Sequence, residues 1–276
     1  MAIAAWRLLL AAAVLVPLAM RGGGIAHIAK RDLAWSVLSG AALAVHFVLW
    51  ITSLQQTSVA SSVLFMSTHP VFVGLGSWIF LRERVRPAAI AGIVFSVIGG
   101  SVIAWGDLRF GEMTLRGDLL ALGGGCALAI YFLIGRRVRR NVPVLLYIAV
   151  AYAAAAFLVL GACLATRTPI IGYAPATYGY LILLAVGPQL IGHSTFNWAL
   201  KHLAASSVSI LVLSEAVGSA LLAVAFFGES LTWLNGLGGF LILLGITLST
   251  RNREASHGQA NRPGEDHVGG GPHAAS

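Results

Sequence analysis

Long apolar runs, separated by short polar or glycine- and proline-rich breaks, dominate this chain. Nine of these runs are about 20 residues long, the length that a helix needs to cross the hydrocarbon core of a bilayer. The predicted membrane helices cover residues 2–20, 33–54, 59–81, 87–106, 118–135, 144–165, 177–199, 204–227 and 231–250. The pattern therefore predicts an all-α membrane protein with nine transmembrane helices.

Two local signals modify this regular picture. His69 and Pro70 lie near the middle of the third predicted helix, where a proline removes a backbone hydrogen bond and favours a kink. Residues 251–276, after the last apolar run, are polar and rich in glycine, and this composition is typical of disorder. We therefore expect a kinked third helix and a disordered tail.

Charged residues make up 10% of the chain and apolar residues 58%, far from the balance of a soluble protein. The formal net charge of +8 would suit a nucleic-acid partner, but its distribution indicates membrane topology instead. Of the 18 basic residues, 14 fall on one side of the predicted membrane, and the other side holds Arg7, Arg109, Arg116 and Arg167. The positive-inside rule makes the first side, with the C-terminus, cytoplasmic, which suits a multi-pass protein of the inner (plasma) membrane. Arg7 is expected near the opposite interface, and no nucleic acid is expected to bind.

A shift of the chain against itself by 146 residues superimposes distinctive positions. The matched pairs are His69 with Glu215, Glu83 with Glu229, Gly92 with Gly238, and Gly99 with Gly245. The two copies would occupy residues 1–106 and 118–250, and the first copy would lack its first helix. Because a complete copy has five helices, an odd number, the second copy must cross the membrane in the opposite direction. Inverted repeats of this kind are typical of transporters with a central site and alternating access.

The carboxylates of this repeat fall into two groups. Glu83 and Glu229 end corresponding helices at the membrane surface, where we expect them to cap a helix or to pair with a neighbouring one. Glu215 lies instead near the centre of the eighth predicted helix. A carboxylate there costs roughly 2.5 to 3.5 kcal/mol on insertion scales, so it usually faces the bundle interior or a water-filled pathway.

Other polar residues could share a site with Glu215. Because the preceding helix has polar residues spaced by four, it should present one polar stripe towards Glu215. The candidate site residues on a substrate or proton pathway are Glu215, the stripe residues Gln189, His193 and Asn197, and His46, Trp50 and His69 from the first half. We expect them to bind a polar or cationic substrate group or to relay a proton. The alternative is that they only hold helices together, through hydrogen bonds worth about 0.6 to 2 kcal/mol each.

Sequence motifs for other chemistry are absent. The chain contains no HExxH, GxSxG, GxxxxGK[ST] or GxGxxG pattern, so proteolysis, ester hydrolysis and nucleotide-driven pumping have no support. Cys126 and Cys163 lie inside predicted helices without metal-ligand spacing. We therefore expect no enzyme activity, no cofactor and no bound metal.

Four segments resemble the EamA-type transporters of the drug/metabolite transporter superfamily. They are GHSTFNWALK, which begins at Gly192, SEAVGSALLAVAFFGES, STHPVFVGLGSWIFLRERV and AAWRLLLAAAVLVPLAM. The resemblance implies ten helices in two inverted five-helix repeats, both termini in the cytoplasm, and movement of metabolites, amino acids or drugs, often outward. The chain departs from the family pattern in its absent first helix and in Ala216, where a proline is common.

These observations predict a secondary-active or facilitative transporter, most simply an exporter, which moves small molecules by alternating access through a central polar cavity. The alternative is a truncated, non-transporting membrane scaffold or an inactive relative. The expected partners are a small-molecule substrate and the lipid bilayer, with a second copy of the chain as a candidate for a homodimer.

Overall fold

The computed structural model describes the chain except residues 22, 23, 25, 27, 58, 84, 86, 108–114, 216, 219, 220, 222–224, 226–231 and 261–276. Its α-helices are α1 (Ala2–Arg21), α2 (Lys30–Ser53), α3 (Val59–Met66), α4 (His69–Ile79), α5 (Pro87–Asp107), α6 (Leu115–Val138), α7 (Val144–Ala165), α8 (Pro175–Leu184), α9 (Ser194–His202), α10 (Ala205–Val212) and α11 (Trp233–Ala260). A π-helical segment, Ala185–His193, joins α8 to α9. Within the described residues the protein is therefore all-helical, as the sequence predicts.

Five helical stretches in the described residues are long and apolar enough to cross a bilayer. They are Ala2–Arg21, Lys30–Ser53, Ser62–Ile79, Leu115–Val138 and Val144–Ala165, and two shorter apolar helices are Pro87–Val102 and Gly236–Leu248. The class of multi-pass membrane protein is thus confirmed, but the count of nine spans is not. Part of the difference arises because the seventh predicted span is divided among α8, the π-helical segment and α9.

The predicted kink in the third span is confirmed as a break between α3 and α4. Ser67 and Thr68 form a turn, and α4 begins at His69 with Pro70 in its first turn. A proline costs little there because the first amides of a helix have no partner within the helix. The break places His69 in the protein interior, where only 2% of its surface is exposed.

The π-helical segment was not predicted. It contains Pro188, whose missing N–H cannot complete a regular α-helical ladder, and the backbone widens across Ala185–His193. This widening changes the angular spacing of side chains along the segment. Residues four apart in the sequence therefore do not continue one regular α-helical stripe from Gln189 to Asn197.

The core lies where α1, α2, α6 and α7 pack together. Small residues allow close approach, as in other membrane helix bundles. A Cβ atom on Gly40 of α2 would overlap the carbonyl oxygen of Ala151 in α7. Larger side chains fill the remaining space, and Phe47, Tyr131 and Tyr152 are fully buried.

Helices α5 and α11 form a second close contact, with glycines at both crossing points. A Cβ on Gly99 would lie 2.6 Å from the carbonyl oxygen of Gly238, and a Cβ on Gly245 would lie 2.6 Å from that of Gly92. The 146-residue shift matches Gly92 with Gly238 and Gly99 with Gly245. The contact between Gly99 and Gly238 therefore corresponds, under the repeat, to the contact between Gly245 and Gly92. Equivalent contacts of this kind are expected when a two-fold axis relates two inverted halves.

Helix α11 continues beyond the last predicted membrane segment to Ala260, into the first part of the tail for which the composition predicts disorder. The rest of the tail, residues 261–276, lies outside the described residues, as do Ala216 and Glu229.

Candidate functional site

A cavity of about 220 Å³ lies between helices of the two predicted repeats. Its walls come from α1, α2 and the α3–α4 break of the first predicted repeat, and from α6, the π-helical segment, α9 and α10 with the residues after it of the second. The lining residues are Arg7, His46, Trp50, Val63, Met66, Ser67, His69, Leu128, Phe132, His193, Phe196, Val212, Leu213 and Glu215. The cavity therefore combines apolar and aromatic walls with two opposite charges and three histidines.

The structure brings five of the seven predicted site residues to this cavity. They are Glu215, His193, His46, His69 and Trp50. Within the described part of the chain, histidine, cysteine and acidic side chains form no group of three or more that could hold a metal ion.

Glu215 lies on the cavity wall with its side chain exposed, although it follows a buried stretch of α10. The environments predicted for it are the bundle interior and a water-filled pathway, and in the structure its side chain borders the cavity. Glu215 is therefore available to a solute in the cavity.

His46 and Trp50 form one aromatic wall of the cavity. Their rings stack at a centroid distance of 5.8 Å and an interplanar angle of 16°. Nδ1 of His46 lies 3.0 Å from the carbonyl oxygen of Gly124 in α6, and because a carbonyl only accepts, this nitrogen carries the proton. In the neutral ring, Nε2 is therefore the acceptor.

His69 joins the two predicted repeats. Its Nδ1 lies 3.0 Å from the carbonyl oxygen of Met66, and its Nε2 lies 3.2 Å from that of Ser209 in α10. Only a doubly protonated ring donates to both carbonyls, whereas a neutral ring leaves one nitrogen lone pair facing an oxygen. A neutral His69 therefore donates to one of these two carbonyls.

His193 faces the cavity from the end of the π-helical segment. Its ring lies among aromatic rings, with centroid distances of 5.8 Å to Phe47 and 6.5 Å to Phe196. Its Nδ1 and the indole nitrogen of Trp50 are buried without a hydrogen-bond partner. Such orphan polar atoms are uncommon in native proteins, and here both belong to cavity residues, where a bound group or a side-chain movement could satisfy them.

Gln189 and Asn197, the other two residues of the predicted polar stripe, do not line the cavity. Gln189 is fully buried and accepts a hydrogen bond from Arg7. Asn197 is fully buried too, with Nδ2 2.5 Å from the hydroxyl of Tyr131 and 2.6 Å from the carbonyl oxygen of His193. The widened π-helical segment and the tyrosines of α6 and α7 direct both amides into the packing, where they fix helices to one another.

Arg7 is the site residue that the sequence prediction missed, because it was expected at the membrane interface. It is 8% exposed and lines the cavity. Its Nε donates to Oε1 of Gln189 at 2.9 Å, and its guanidinium carbon lies 4.7 Å from the ring centroid of Phe47, in cation–π range. Arg7 lies on the same helix face as Ala4 and Ala11, which are fully buried. This alanine-rich face is the signal in the sequence that Arg7 points into the protein.

A charged cluster lies away from the cavity, at the ends of α4, α6 and α9. Oε1 of Glu83 accepts hydrogen bonds from Nε of Arg136 at 3.0 Å and from Nη2 of Arg140 at 2.8 Å. Nη1 of Arg136 also donates to the carbonyl oxygens of Leu200 and Lys201, at 2.8 and 3.1 Å, at the C-terminal end of α9. Glu83 is thus an inter-helix partner, as the sequence predicts, and we name Glu83, Arg136 and Arg140 the arginine clasp.

The two arginines of the clasp should differ in their effect on stability. We expect Arg136→Gln to destabilise the protein by about 1 to 2 kcal/mol, because it removes three hydrogen bonds from a side chain that is 15% exposed. Arg140→Gln is the matched control, since its side chain is 52% exposed and such pairs contribute about 0 to 1 kcal/mol. Scanning fluorimetry of the detergent-solubilised protein measures both melting temperatures. Equal shifts would show that the link to α9 adds nothing.

Comparisons with known proteins agree with this architecture. A family model described as "EamA-like transporter family" matches residues 1–105 and 115–251. A solved crystal structure superimposes with a TM-score of 0.78 at 20% identity, over 92% of this chain and 88% of the other, which shows a shared fold.

Several curated proteins are similar along most of the chain. "Uncharacterized transporter YwfM" of Bacillus subtilis (strain 168) is 24% identical over 82% of this chain and 79% of its own length. "Uncharacterized transporter YyaM" of the same organism is 24% identical over 88% of this chain and 82% of its own length. A mouse protein, "Solute carrier family 35 member G1", is 24% identical over 75% of this chain and 58% of its own length.

Proposed function

We propose that this chain, which belongs to the EamA-like transporter family, is a secondary-active or facilitative transporter that moves small molecules through the central cavity by alternating access. The observation that carries the proposal is the cavity itself, which lies between the two predicted repeats and presents both Arg7 and Glu215. A charged side chain in a membrane segment is costly, and two that face one cavity mark a pathway for a solute.

Internal symmetry supports alternating access. The 146-residue shift matches His69 with Glu215, and both residues line the cavity from opposite repeats. The same shift exchanges the two glycine contacts between α5 and α11. Two similar halves around one site can rock against each other and expose that site to either side in turn.

The arginine clasp fits a gate on the cytoplasmic side. By the positive-inside rule the Arg136–Arg140 loop is cytoplasmic, as is the C-terminus, in an inner (plasma) membrane. Arg136 ties the end of α4 to the end of α9, and so joins the two repeats at this surface. We propose that the clasp closes the cytoplasmic entrance and opens when an exported solute enters the cavity.

Transport is tested with the purified chain in proteoliposomes. Vesicles loaded with an unlabelled solute are diluted into the labelled solute, and exchange is followed for a panel of amino acids, amines, organic acids and cationic drugs. A transporter exchanges at least one solute faster than protein-free vesicles, while the impermeant sugar sucrose is not exchanged. A folded, monodisperse chain that exchanges nothing in the panel would favour the non-transporting scaffold.

A further inference from the structure

We propose that the groove between α4 and α6 binds an anionic phospholipid, with one acyl chain in the groove and the phosphate on Arg140 at its end. This site is separate from the central cavity and does not depend on which solute the protein carries. The lipid would come from the leaflet that holds the arginine clasp, which is the cytoplasmic leaflet under the proposed topology.

The groove is an apolar depression of about 200 Å³ on the outer surface of the bundle. Leu75, Ile79 and Ile130 border it, and each is between 51% and 54% exposed. Its floor is low because the two helices meet closely there, and a Cβ on Gly76 would overlap the side chain of Leu133. Among the described residues, no charged, amide or hydroxyl side chain lines it. The groove therefore faces hydrocarbon in the membrane and accepts an apolar group.

The groove has the depth and length of one acyl chain. Its inner end is at Cys126, next to Gly125, and a Cβ on Gly125 would lie 3.7 Å from the Cβ of His69 at the break in the third span. From Cys126 to Leu133, α6 rises by about 10 Å at about 1.5 Å per residue. One leaflet provides about 15 Å of hydrocarbon, half of about 30 Å. The groove can therefore follow a single chain from the middle of the membrane towards the surface.

Positive charge is in excess where the groove approaches the membrane surface. Arg136 lies about one turn of α6 beyond Leu133, and Arg140 follows the end of that helix. Arg82, exposed beside Glu83 in the sequence, adds to this group. The three arginines carry three positive charges against the one negative charge of Glu83. This end of the groove therefore attracts a group with a net negative charge.

Arg140 has donors to spare for a phosphate. Its side chain is 52% exposed, and within the described residues the structure assigns one of its five N–H donors, on Nη2, to Glu83. A guanidinium binds a phosphate through two parallel hydrogen bonds. A phosphate can therefore bind Arg140 without displacing Glu83, and the arginine clasp stays intact with the lipid in place.

The same features argue against a second copy of the chain as the occupant. Two copies inserted with the same orientation and related by a two-fold axis along the membrane normal would bring the same ends of their helices together. Each groove ends in an excess of positive charge, and like charges at short distance repel each other. A phospholipid instead supplies hydrocarbon for the groove and negative charge for its end in one molecule.

The test compares phosphatidylglycerol with phosphatidylcholine of identical acyl chains, which share the phosphate and differ in net charge. Native mass spectrometry of the full-length chain in detergent, titrated with each lipid, gives the dissociation constant of the first bound lipid. Phosphatidylglycerol should bind at least about fivefold more tightly, the gain expected from about one basic residue near an anionic lipid. Equal affinities, or tighter binding of phosphatidylcholine, would overturn the proposal.

Arg140→Gln tests the site of the headgroup and should reduce the preference for phosphatidylglycerol to less than about twofold. The variant should fold, because the side chain it removes is half exposed, and its melting temperature checks this. Arg21→Gln is the matched control, since it removes an exposed arginine at the end of α1, outside the groove, and it should keep the full preference. A preference that persists in Arg140→Gln, or that both variants lose equally, would overturn the assignment to this site.

Cys126→Phe tests the acyl chain, because the half-buried Cys126 lies at the inner end of the groove and a larger side chain shortens it. Oleoyl phosphatidylglycerol should bind this variant at least about fivefold more weakly, while octanoyl phosphatidylglycerol, whose chains end before this point, should bind unchanged. Leu158→Phe, on the exposed surface of α7 outside the groove, is the control and should alter neither affinity.

Two results of this second comparison would contradict the proposal. Unchanged binding of the oleoyl lipid to Cys126→Phe would place its chain elsewhere. Dimers of the unmodified chain that Cys126→Phe converts to monomers would identify the groove as an interface between copies. Both measurements follow binding alone, so neither result bears on whether the central cavity transports a solute.

Discussion

Glu215→Gln is expected to lower the initial rate of solute exchange in proteoliposomes by at least about tenfold, which corresponds to about 1.4 kcal/mol. The substitution keeps the size of the side chain and removes its negative charge. Since Glu215 is exposed on the cavity wall, the loss should fall on solute or proton binding rather than on folding. Exchange of a labelled solute from the panel, normalised to protein inserted in the vesicles, measures the effect.

The control for this substitution is Asp32→Asn, which makes the same chemical change at a half-buried position in the first turn of α2, away from the cavity. It should leave the exchange rate within about twofold of the unmodified chain. If Glu215→Gln exchanges solute at the rate of Asp32→Asn, the carboxylate has no part in the mechanism. The result does not depend on which solute is carried, because both binding and proton coupling need the charge.

Much of the fold could be predicted from the sequence because the membrane imposes simple rules. Apolar length predicts α1, α2 and α7 to within a few residues, and Pro70 predicts the break between α3 and α4. The 146-residue spacing also predicts that Gly92 and Gly99 occupy positions equivalent to Gly238 and Gly245. These signals are local or repeat along the chain, so one sequence is enough to read them.

The errors concern properties that depend on the packing of distant segments. Periodicity gives the faces of α1 but does not say which face is inward, and so Arg7 was expected at the interface. The partner that binds Asn197 is Tyr131, which is 66 residues away on another helix. Pro188 is visible in the sequence, but whether a proline bends a helix or widens it into a π-helical segment depends on its neighbours.

The same distinction explains which predicted residues line the cavity. Glu215, His46 and His69 are polar residues inside long apolar runs, and their cost in lipid directs them to an interior surface whatever the details of packing. Gln189 obeys this rule as well, but it meets Arg7 rather than the cavity. Polarity therefore predicts that such a residue faces inward, and only the structure shows what it contacts there.

The glycine contacts lead to the second large effect, on stability. Gly245→Ala is expected to destabilise the protein by about 3 kcal/mol, at the upper end of the usual cost of overpacking. The new Cβ would lie 2.6 Å from the carbonyl oxygen of Gly92 and would also overlap Oγ of Ser96. A serine side chain can rotate away, but a helical carbonyl cannot, so α5 and α11 would have to separate.

Gly161→Ala is the control, and its expected change in stability has the opposite sign. Gly161 lies within α7 with no atom near the position of a Cβ, so Gly161→Ala should stabilise the protein by roughly 0.5 to 1 kcal/mol through helix propensity alone.

The repeat adds a further requirement: Gly99→Ala, at the matched position, should destabilise the protein about as much as Gly245→Ala, because its Cβ would meet Gly238 at the same distance. Melting temperatures and the monodisperse fraction in detergent measure all three. Unequal effects at Gly99 and Gly245 would contradict equivalent contacts across a two-fold axis, and with them the symmetry on which alternating access depends.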